Sequence, residues 1–301
     1  MKAVQFSVYG GPEVLKIVET DEPHAGPGQV RIAVRAVGVN PAEWKLRAGL
    51  FGEFMPIEFP CGVGFEAAGI VDEIGEGVTD VAVGDAVFGS GNATAAEYAV
   101  LDYWARKPDD MPFEVAGGFA AVSETAVRCL DYVGAKAGET ILVCGAAGGV
   151  GSTLLQVARH RGITVIGTAS AGKHDYLRNL GALPTTYEPG LAARVKELAP
   201  EGVDAALDLA GAGIIPELVE IVGDPSRVLS IVDFSAPEHG AQFSPTPQEH
   251  PEKALAQTAG LYSEGSIRLH VEKTFPLEQI AKAQALSAEG HVTGKLVVTV
   301  T

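Results

Sequence analysis

Cysteine is scarce in this sequence. The three present, Cys61, Cys129 and Cys144, are far apart in apolar surroundings, which excludes a disulfide-stapled scaffold and reads as buried thiols in a reducing cytoplasm. No C-x-x-C or H-x-x-x-H spacing occurs among the cysteines and the 7 histidines, so no metal site is expected. Basic residues are also few: 22 Lys and Arg against 38 Asp and Glu give a net charge of −16, which argues against nucleic acid and anionic membrane as partners. No apolar run reaches membrane length, and the opening Lys2-Ala3-Val4-Gln5-Phe6 reads as a strand rather than a signal peptide. The expectation is therefore a cytoplasmic protein. Repeats and low-complexity tails are absent. What remains is an ordinary globular composition, 47% hydrophobic and 20% charged over 301 residues, enough for two domains.

The chain is organised around residues 141–151. Ile141 to Cys144 form a short apolar run suited to a strand buried on both faces. Ala146-Ala147-Gly148-Gly149-Val150-Gly151 then reads as a tight turn, and residues 152–160 as a helix. Strand, glycine turn and helix together aim free backbone N–H groups at a pyrophosphate. Such a turn also serves simply to pack a helix close to a strand, and these residues alone leave both uses open.

Residues 1–112 look rich in short strands separated by glycine turns: 2–8, 15–18, 30–39, 69–75 and 81–89. That texture predicts a small closed β structure. From about Glu114 it changes. Residues 120–133 read as a helix, followed by strands at 163–168, 183–187, 203–209 and 227–232, with helices at 173–180, 191–199 and 214–222 between them. Such alternation predicts a parallel, doubly wound sheet. Residues 234–251 hold four prolines and read as a loop over the surface or the active site. A helix at 252–263 and a closing strand at 295–300 complete the reading.

Five ordered segments carry a resemblance that covers essentially the whole chain: Gly38-Val39-Asn40-Pro41-Ala42-Glu43, Gly64-Phe65-Glu66-Ala67-Ala68-Gly69, Val83-Gly84-Asp85-Ala86-Val87-Phe88-Gly89, residues 146–151, and Gly294-Lys295-Leu296-Val297-Val298. The chain resembles the medium-chain dehydrogenase/reductase superfamily, in its zinc-independent quinone oxidoreductase-like branch. That implies an α/β protein: a GroES-like β-barrel catalytic domain at 1–112, a Rossmann dinucleotide-binding domain at 113–247, and a return of 248–301 to the catalytic domain. It also implies a homodimer joined along the edge of the nucleotide sheet, beside 227–232. The zinc alcohol dehydrogenases of the superfamily place Cys, His and Cys where this chain has Asn40, Phe65 and Ala121, and their four-cysteine lobe is missing after Ser90. Without a Lewis acid to stabilise an alkoxide, hydride addition to a conjugated acceptor is the expected chemistry.

Cofactor and substrate residues follow from the same resemblance. No acid stands at the tip of the second strand, 167–173, so the expected cofactor is NADPH, its 2′-phosphate bound by Ser170, Lys173 and Tyr187. The less favoured reading of Lys173 is a solvated residue at a helix start. Ala147, Gly148, Gly149 and Val150 are expected at the pyrophosphate, and Thr125 at the nicotinamide carboxamide, with Glu124 before it a departure from the family. Ala210, Gly211 and Ile231 are expected at the cofactor edge. Asn40 either donates a hydrogen bond to the substrate oxygen or caps the turn before Pro41. Trp44, Phe51, Phe54 and Met55 are expected to line an apolar slot, with Lys45 or water protonating the product. Positions 45 and 51 match tyrosines of bacterial quinone reductases but are Lys and Phe here, which points away from simple benzoquinones. The related enoyl reductase domains of polyketide synthases have a tyrosine where this chain has Pro41. The expected activity is reduction of a quinone or an α,β-unsaturated carbonyl compound. Enoyl reduction or reductive cyclisation in biosynthesis, and non-catalytic NADPH binding, remain open beside it.

Overall fold

A computed structural model describes residues 1–52, 55–247 and 249–300. Two compact units divide the chain: Met1–Ala121 with Leu255–Glu264 and Leu269–Thr301, and Val122–Ala254 with Gly265–Arg268.

The first unit is built on one long strand, Val30–Val39. Alternate valines, isoleucine and alanine bury one face, with Val30, Ile32 and Val34 all inaccessible or nearly so. Along one side it pairs antiparallel with Glu66–Ile74, with register shifts at Arg31/Ile32 and Val34/Ala36. Such irregularities bend a strand. The other side is shared: its first half pairs with Tyr98–Leu101 and its second half with the C-terminal strand Lys295–Thr299. The sheet continues through Ala86–Ser90 to Tyr103–Arg106 on one flank and to Val271–Pro276 on the other. A smaller sheet of Lys16–Glu19, Lys2–Phe6 and Cys61–Gly62 lies beside it in the same unit. Of the expected strand at 81–89, only Ala86–Ser90 is extended; Asp85 accepts from the Ala82 N–H and holds 82–85 in a turn. Val271–Pro276 and the helix Ile280–Ala288 left no readable signal, because the strand lies at a sheet edge with four of its six residues exposed.

The second unit is a six-stranded parallel sheet in the order Leu183–Thr185, Thr164–Thr168, Thr140–Cys144, Ala205–Asp208, Val228–Ser230, Gln242–Phe243. In chain order this is 3-2-1-4-5-6, the Rossmann arrangement, with its switch point between Thr140–Cys144 and Ala205–Asp208. Ile141, Leu142 and Val143 are fully buried, as a central parallel strand requires. Residues 234–251, expected as a loop, contribute the sixth strand: Leu229 pairs with Gln242 and Ser230 with Phe243. A two-residue edge strand is too short to leave a periodic pattern, and Pro245 and Pro247 stop it.

The units divide at 121/122 and near 254, later in the chain than the expected 112/113 and 247/248. Packing accounts for the difference. Phe119 lies 5.6 Å from the Phe88 ring and 5.9 Å from the Tyr262 ring, which draws both 113–121 and 255–264 into the first unit. Among the described residues no helix is long and apolar enough to cross a membrane. Burial pushes the Cys129 and Cys144 thiols up to about 12, so both are inert, and Cys61 is half-buried and also raised.

Candidate functional site

In the second unit the glycine turn does two separable things. Gly151 is a packing glycine: a Cβ there would stand 2.5 Å from the Gly145 carbonyl and 2.6 Å from the Ala146 Cα, so only hydrogen lets the helix Gly149–His160 approach its strand. Ala146, in the place of the usual first glycine, is fully buried. Gly148 is different. It is the N-cap, no side chain caps the helix, and a Cβ there would meet nothing nearer than the Gly145 carbonyl at 3.6 Å. The first-turn N–H groups at Gly149, Val150 and Gly151 thus begin a helix with no side-chain cap, beside an N-cap position that has room for a Cβ.

Ser170 and Tyr187 occupy equivalent places beyond the paired strand ends, since Thr168 pairs with Thr185 and the Ala169 N–H reaches the Thr185 carbonyl at 3.0 Å. Both are exposed, and Lys173 follows at the end of the 3-10 turn Ala171–Lys173. Arg194 donates to Thr185 Oγ1 at 3.2 Å and to the carbonyls of Thr186, Glu188 and Pro189, fixing the loop that carries Tyr187. Asp175, two residues after Lys173, is paired with Arg178 at 2.6 Å. Ala210, Gly211 and Ile231 are held by two residues that the sequence reading passed over. Buried Asp208 accepts from the Ala210 and Gly211 N–H groups at 3.1 and 2.9 Å and from Ser230 Oγ at 2.8 Å. Ser230 Oγ in turn accepts from the Val232 and Asp233 N–H groups. The readable signal was an aspartate closing an apolar strand, Ala-Ala-Leu-Asp.

Thr125 sits on the helix Ala120–Tyr132 inside a buried ionic network. Arg128 Nε donates to Glu124 Oε1 at 2.8 Å, its Nη1 to the Ser244 carbonyl and hydroxyl, and its Nη2 to Thr125 Oγ1 at 3.4 Å. Glu124, the family departure, is thus the counter-ion of a buried arginine.

In the first unit Asn40 is the N-cap of the seven-residue helix Pro41–Arg47, yet its side chain makes no capping bond. It turns inward instead. Its Oδ1 accepts from Lys295 Nζ at 2.6 Å, and its Nδ2 donates to Glu66 Oε1 at 3.0 Å and to Glu43 Oε1 at 3.1 Å. Because lysine only donates, this amide orientation is the one the cluster allows. Both Nδ2 hydrogens are thereby committed, so Asn40 gives one to an acceptor oxygen only by exchange. Glu66 is fully buried, ion-paired to Lys295 at 2.7 Å, and its Oε2 accepts from the Ala121 N–H at 2.8 Å. Gly38 makes room for it: a Cβ there would overlap Glu66 Oε1 at 2.2 Å. Positions 40 and 121 therefore meet at the Glu66 carboxylate, next in sequence to position 65, and the cation among them is Lys295 Nζ. Burial pushes the Glu43 carboxyl up to about 7 against the opposing Asn40 hydrogen bond and the Lys295 charge. Among the described residues no cluster of three or more His, Cys, Asp or Glu side chains is arranged to hold a metal ion.

Arg47, almost fully buried, ties the same helix down by donating to Gln284 Oε1 at 2.8 Å and to the Gly10 carbonyl. Lys45 Nζ lies 5.7 Å from the Trp44 ring centre. Phe51 is half-buried and Met55 exposed; Phe54 lies outside the described residues. Tyr9 and Phe59, unsuspected from sequence, stand with their rings 5.1 Å apart, and Tyr9 packs where a Gly49 Cβ would reach its ring at 3.2 Å.

The chain matches known proteins along its length. The family described as alcohol dehydrogenase GroES-like domain matches residues 26–129, and that described as zinc-binding dehydrogenase matches residues 182–298. Human quinone oxidoreductase is 32% identical across 99% of this chain and 97% of its own length. The chloroplastic NADPH-dependent alkenal/one oxidoreductase of Arabidopsis thaliana is 31% identical across 99% of this chain and 79% of its own. The structure of the quinone oxidoreductase from Coxiella burnetii superposes with a TM-score of 0.88 at 30% identity, covering 100% of this chain and 99% of that one. A segment of the pikromycin polyketide synthase component PikAII of Streptomyces venezuelae is 34% identical over 91% of this chain, which spans 8% of that protein.

Proposed function

The chain belongs to the medium-chain dehydrogenase/reductase superfamily, in its quinone oxidoreductase-like branch, and from that membership we propose that it is an NADPH-dependent reductase of a quinone or an α,β-unsaturated carbonyl compound. The observation that carries the reading is the tip of the second parallel strand, where Ser170 lies exposed two residues past the paired end, Tyr187 lies exposed two residues past the end of the neighbouring strand, Lys173 follows, and Asp175 is ion-paired to Arg178. A 2′-phosphate is welcome there, whereas the carboxylate that NAD-specific sites use is missing.

The residues fit the cofactor. The backbone of Ala147, Gly148, Gly149 and Val150 holds the pyrophosphate in the open space beside Gly148. Thr125, Ala210, Gly211 and Ile231 take the nicotinamide end, steadied by Glu124–Arg128 and by Asp208–Ser230. NADPH supplies the hydride when bound. Asn40 receives the acceptor oxygen, with Trp44, Phe51 and Met55 offering an apolar surface to a flat ligand. Because Asn40, Phe65 and Ala121 are not zinc ligands, the acceptor has to spread the incoming charge over its own π system. Lys45 Nζ or water returns the proton. A homodimer formed along the edge strand Gln242–Phe243 belongs to the same proposal, and a monomer mass in light scattering overturns it.

A second reading has a specific observation behind it: the likeness to a polyketide synthase segment favours reduction of an enoyl thioester within an assembly. NADPH oxidation followed with a quinone, an enone and an enoyl thioester separates the two by relative kcat/KM. Tight NADPH binding with no acceptor reduced overturns both and marks a sensing or structural role.

A further inference from the structure

Glu43 is a member of the buried cluster to which the proposed reaction gives no part. It is 4% exposed, and its Oε1 accepts from Asn40 Nδ2. Its Oε2 is buried with no hydrogen-bond partner among the described residues. Beside it lies a cavity of about 10 Å³ lined by Phe6, Leu46, Val63, Gly64 and Phe65, the room of a single water. A buried ionised oxygen with no partner is costly, whereas a carboxylic acid can place its hydrogen there.

The two bonds that consume the Asn40 Nδ2 hydrogens are unequal. The one to Glu66 is backed by the Lys295 ion pair and by the Ala121 N–H on the other oxygen. The one to Glu43 is backed only by the Asn40 backbone and by the more distant Lys295 charge. Lys295 on Asn40 Oδ1 polarises the amide and makes its hydrogens better donors. Whichever ligand oxygen reaches half-buried Asn40 therefore displaces Glu43, and the cost of displacement depends on whether Glu43 is charged.

We propose that Glu43 is a titratable latch on Asn40: as a neutral carboxylic acid it yields the Nδ2 hydrogen to the acceptor oxygen, and as a carboxylate it retains it. Glu43 is thus a positioning residue acting through Asn40, and the proposal rests on the reading that Asn40 receives the acceptor. The charged groups that act on Glu43 are Lys295, which favours its ionisation, and Glu66, which opposes it. The other walls, Phe6 from Lys2–Phe6, Leu46 from its own helix and residues 62–65, carry no charge. Burial outweighs the Lys295 attraction, which places the switch near neutrality.

The test is the pH profile of kcat/KM for cyclohex-2-en-1-one with saturating NADPH, in wild type and Glu43→Gln. The wild type is expected to lose about tenfold per pH unit above the Glu43 transition. Glu43→Gln, a neutral latch at every pH, should stay flat across the same range. An unchanged alkaline limb in Glu43→Gln overturns the latch, as does loss of turnover at every pH in a variant that still binds NADPH. Infrared difference spectra of the wild type give a measurement that needs no variant: a buried protonated carboxyl band should vanish through neutral pH, and its absence also overturns the latch. If the wild type reduces no quinone, enone or enoyl thioester at any pH, the reductase reading itself has failed. Turnover without the alkaline limb condemns the latch alone.

Discussion

The two units make their sites from opposite materials. In the second, the site is backbone: N–H groups at a helix start, strand ends held in register, and glycines or alanines wherever anything larger would intrude. In the first, it is charge taken out of water: Asn40, Glu43, Glu66 and Lys295 bonded to one another among apolar strands. A backbone site tolerates many side chains but no change of shape. A buried charge cluster tolerates shape changes but not the loss of a partner. The contrast teaches where each half is vulnerable.

The largest expected effect breaks the charged half. Lys295→Met leaves the Glu66 carboxylate buried and unpaired, at a cost of about 3–5 kcal/mol. Hydrogen exchange should show protection lost in Val30–Val39 and Lys295–Thr299 while Thr140–Cys144 keeps its own. Equal loss in both units would mean that the cluster has no local role.

Glu43→Gln tests the same half through pH. The fold holds Glu43 at about 7, above an ordinary glutamate near 4.5. Its raised value contributes stability that is complete below the unfolded value and is lost as pH rises through about 7. The loss in wild type is at most about 3 kcal/mol. Denaturant titrations at acid and alkaline pH should show this loss in wild type and none of it in the variant. Parallel pH curves for the two proteins would place the titration elsewhere.

Lys173→Ala turns to the second unit and the contact proposed there with the 2′-phosphate. Losing a charge-assisted bond to the 2′-phosphate costs about 1.5–3 kcal/mol, roughly ten- to a hundredfold in NADPH affinity. NADH binding should stay almost unchanged. Equal weakening of both cofactors in calorimetry would reduce Lys173 to a structural lysine. Gly151→Ala should cost about 1–3 kcal/mol through overpacking against Gly145 and Ala146. Its value lies in the pairing with Gly148→Ala, where the space is open. Gly151→Ala should lower Tm, whereas Gly148→Ala should weaken NADPH binding and leave Tm nearly alone. If both variants lower Tm alike, the turn has only a packing role.

How much was readable follows from the same contrast. Strand, glycine turn and helix are contiguous, and the geometry they need restricts residue type at each step, so residues 141–151 announced themselves. The alternation of apolar runs after Glu114 predicted the parallel sheet because each crossover has to bury one face of a helix. Ser170, Lys173 and Tyr187 were singled out through the family resemblance, and the structure puts Ser170 and Tyr187 just past strand ends. Asp208 and Ser230 were passed over, since a lone aspartate after an apolar strand has many uses. Tyr9, Phe59 and the strand Val271–Pro276 gave no pattern at all.

By itself, then, the sequence determined the two-part α/β organisation and the glycine turn, and, through its family resemblance, the replacement of zinc ligands by Asn40, Phe65 and Ala121. These depend on local periodicity, on backbone demands met within a few residues, or on residue identity alone. Only the tertiary structure decided what Asn40 does with its amide. That side chain is neither a turn cap nor a free donor, because Glu43, Glu66 and Lys295 reach it from the same helix, a neighbouring strand and the far end of the chain. No local pattern records such a meeting. It exists because folding brings Val30–Val39, Glu66–Ile74 and Lys295–Thr299 side by side and removes the water that would otherwise have kept their charges apart.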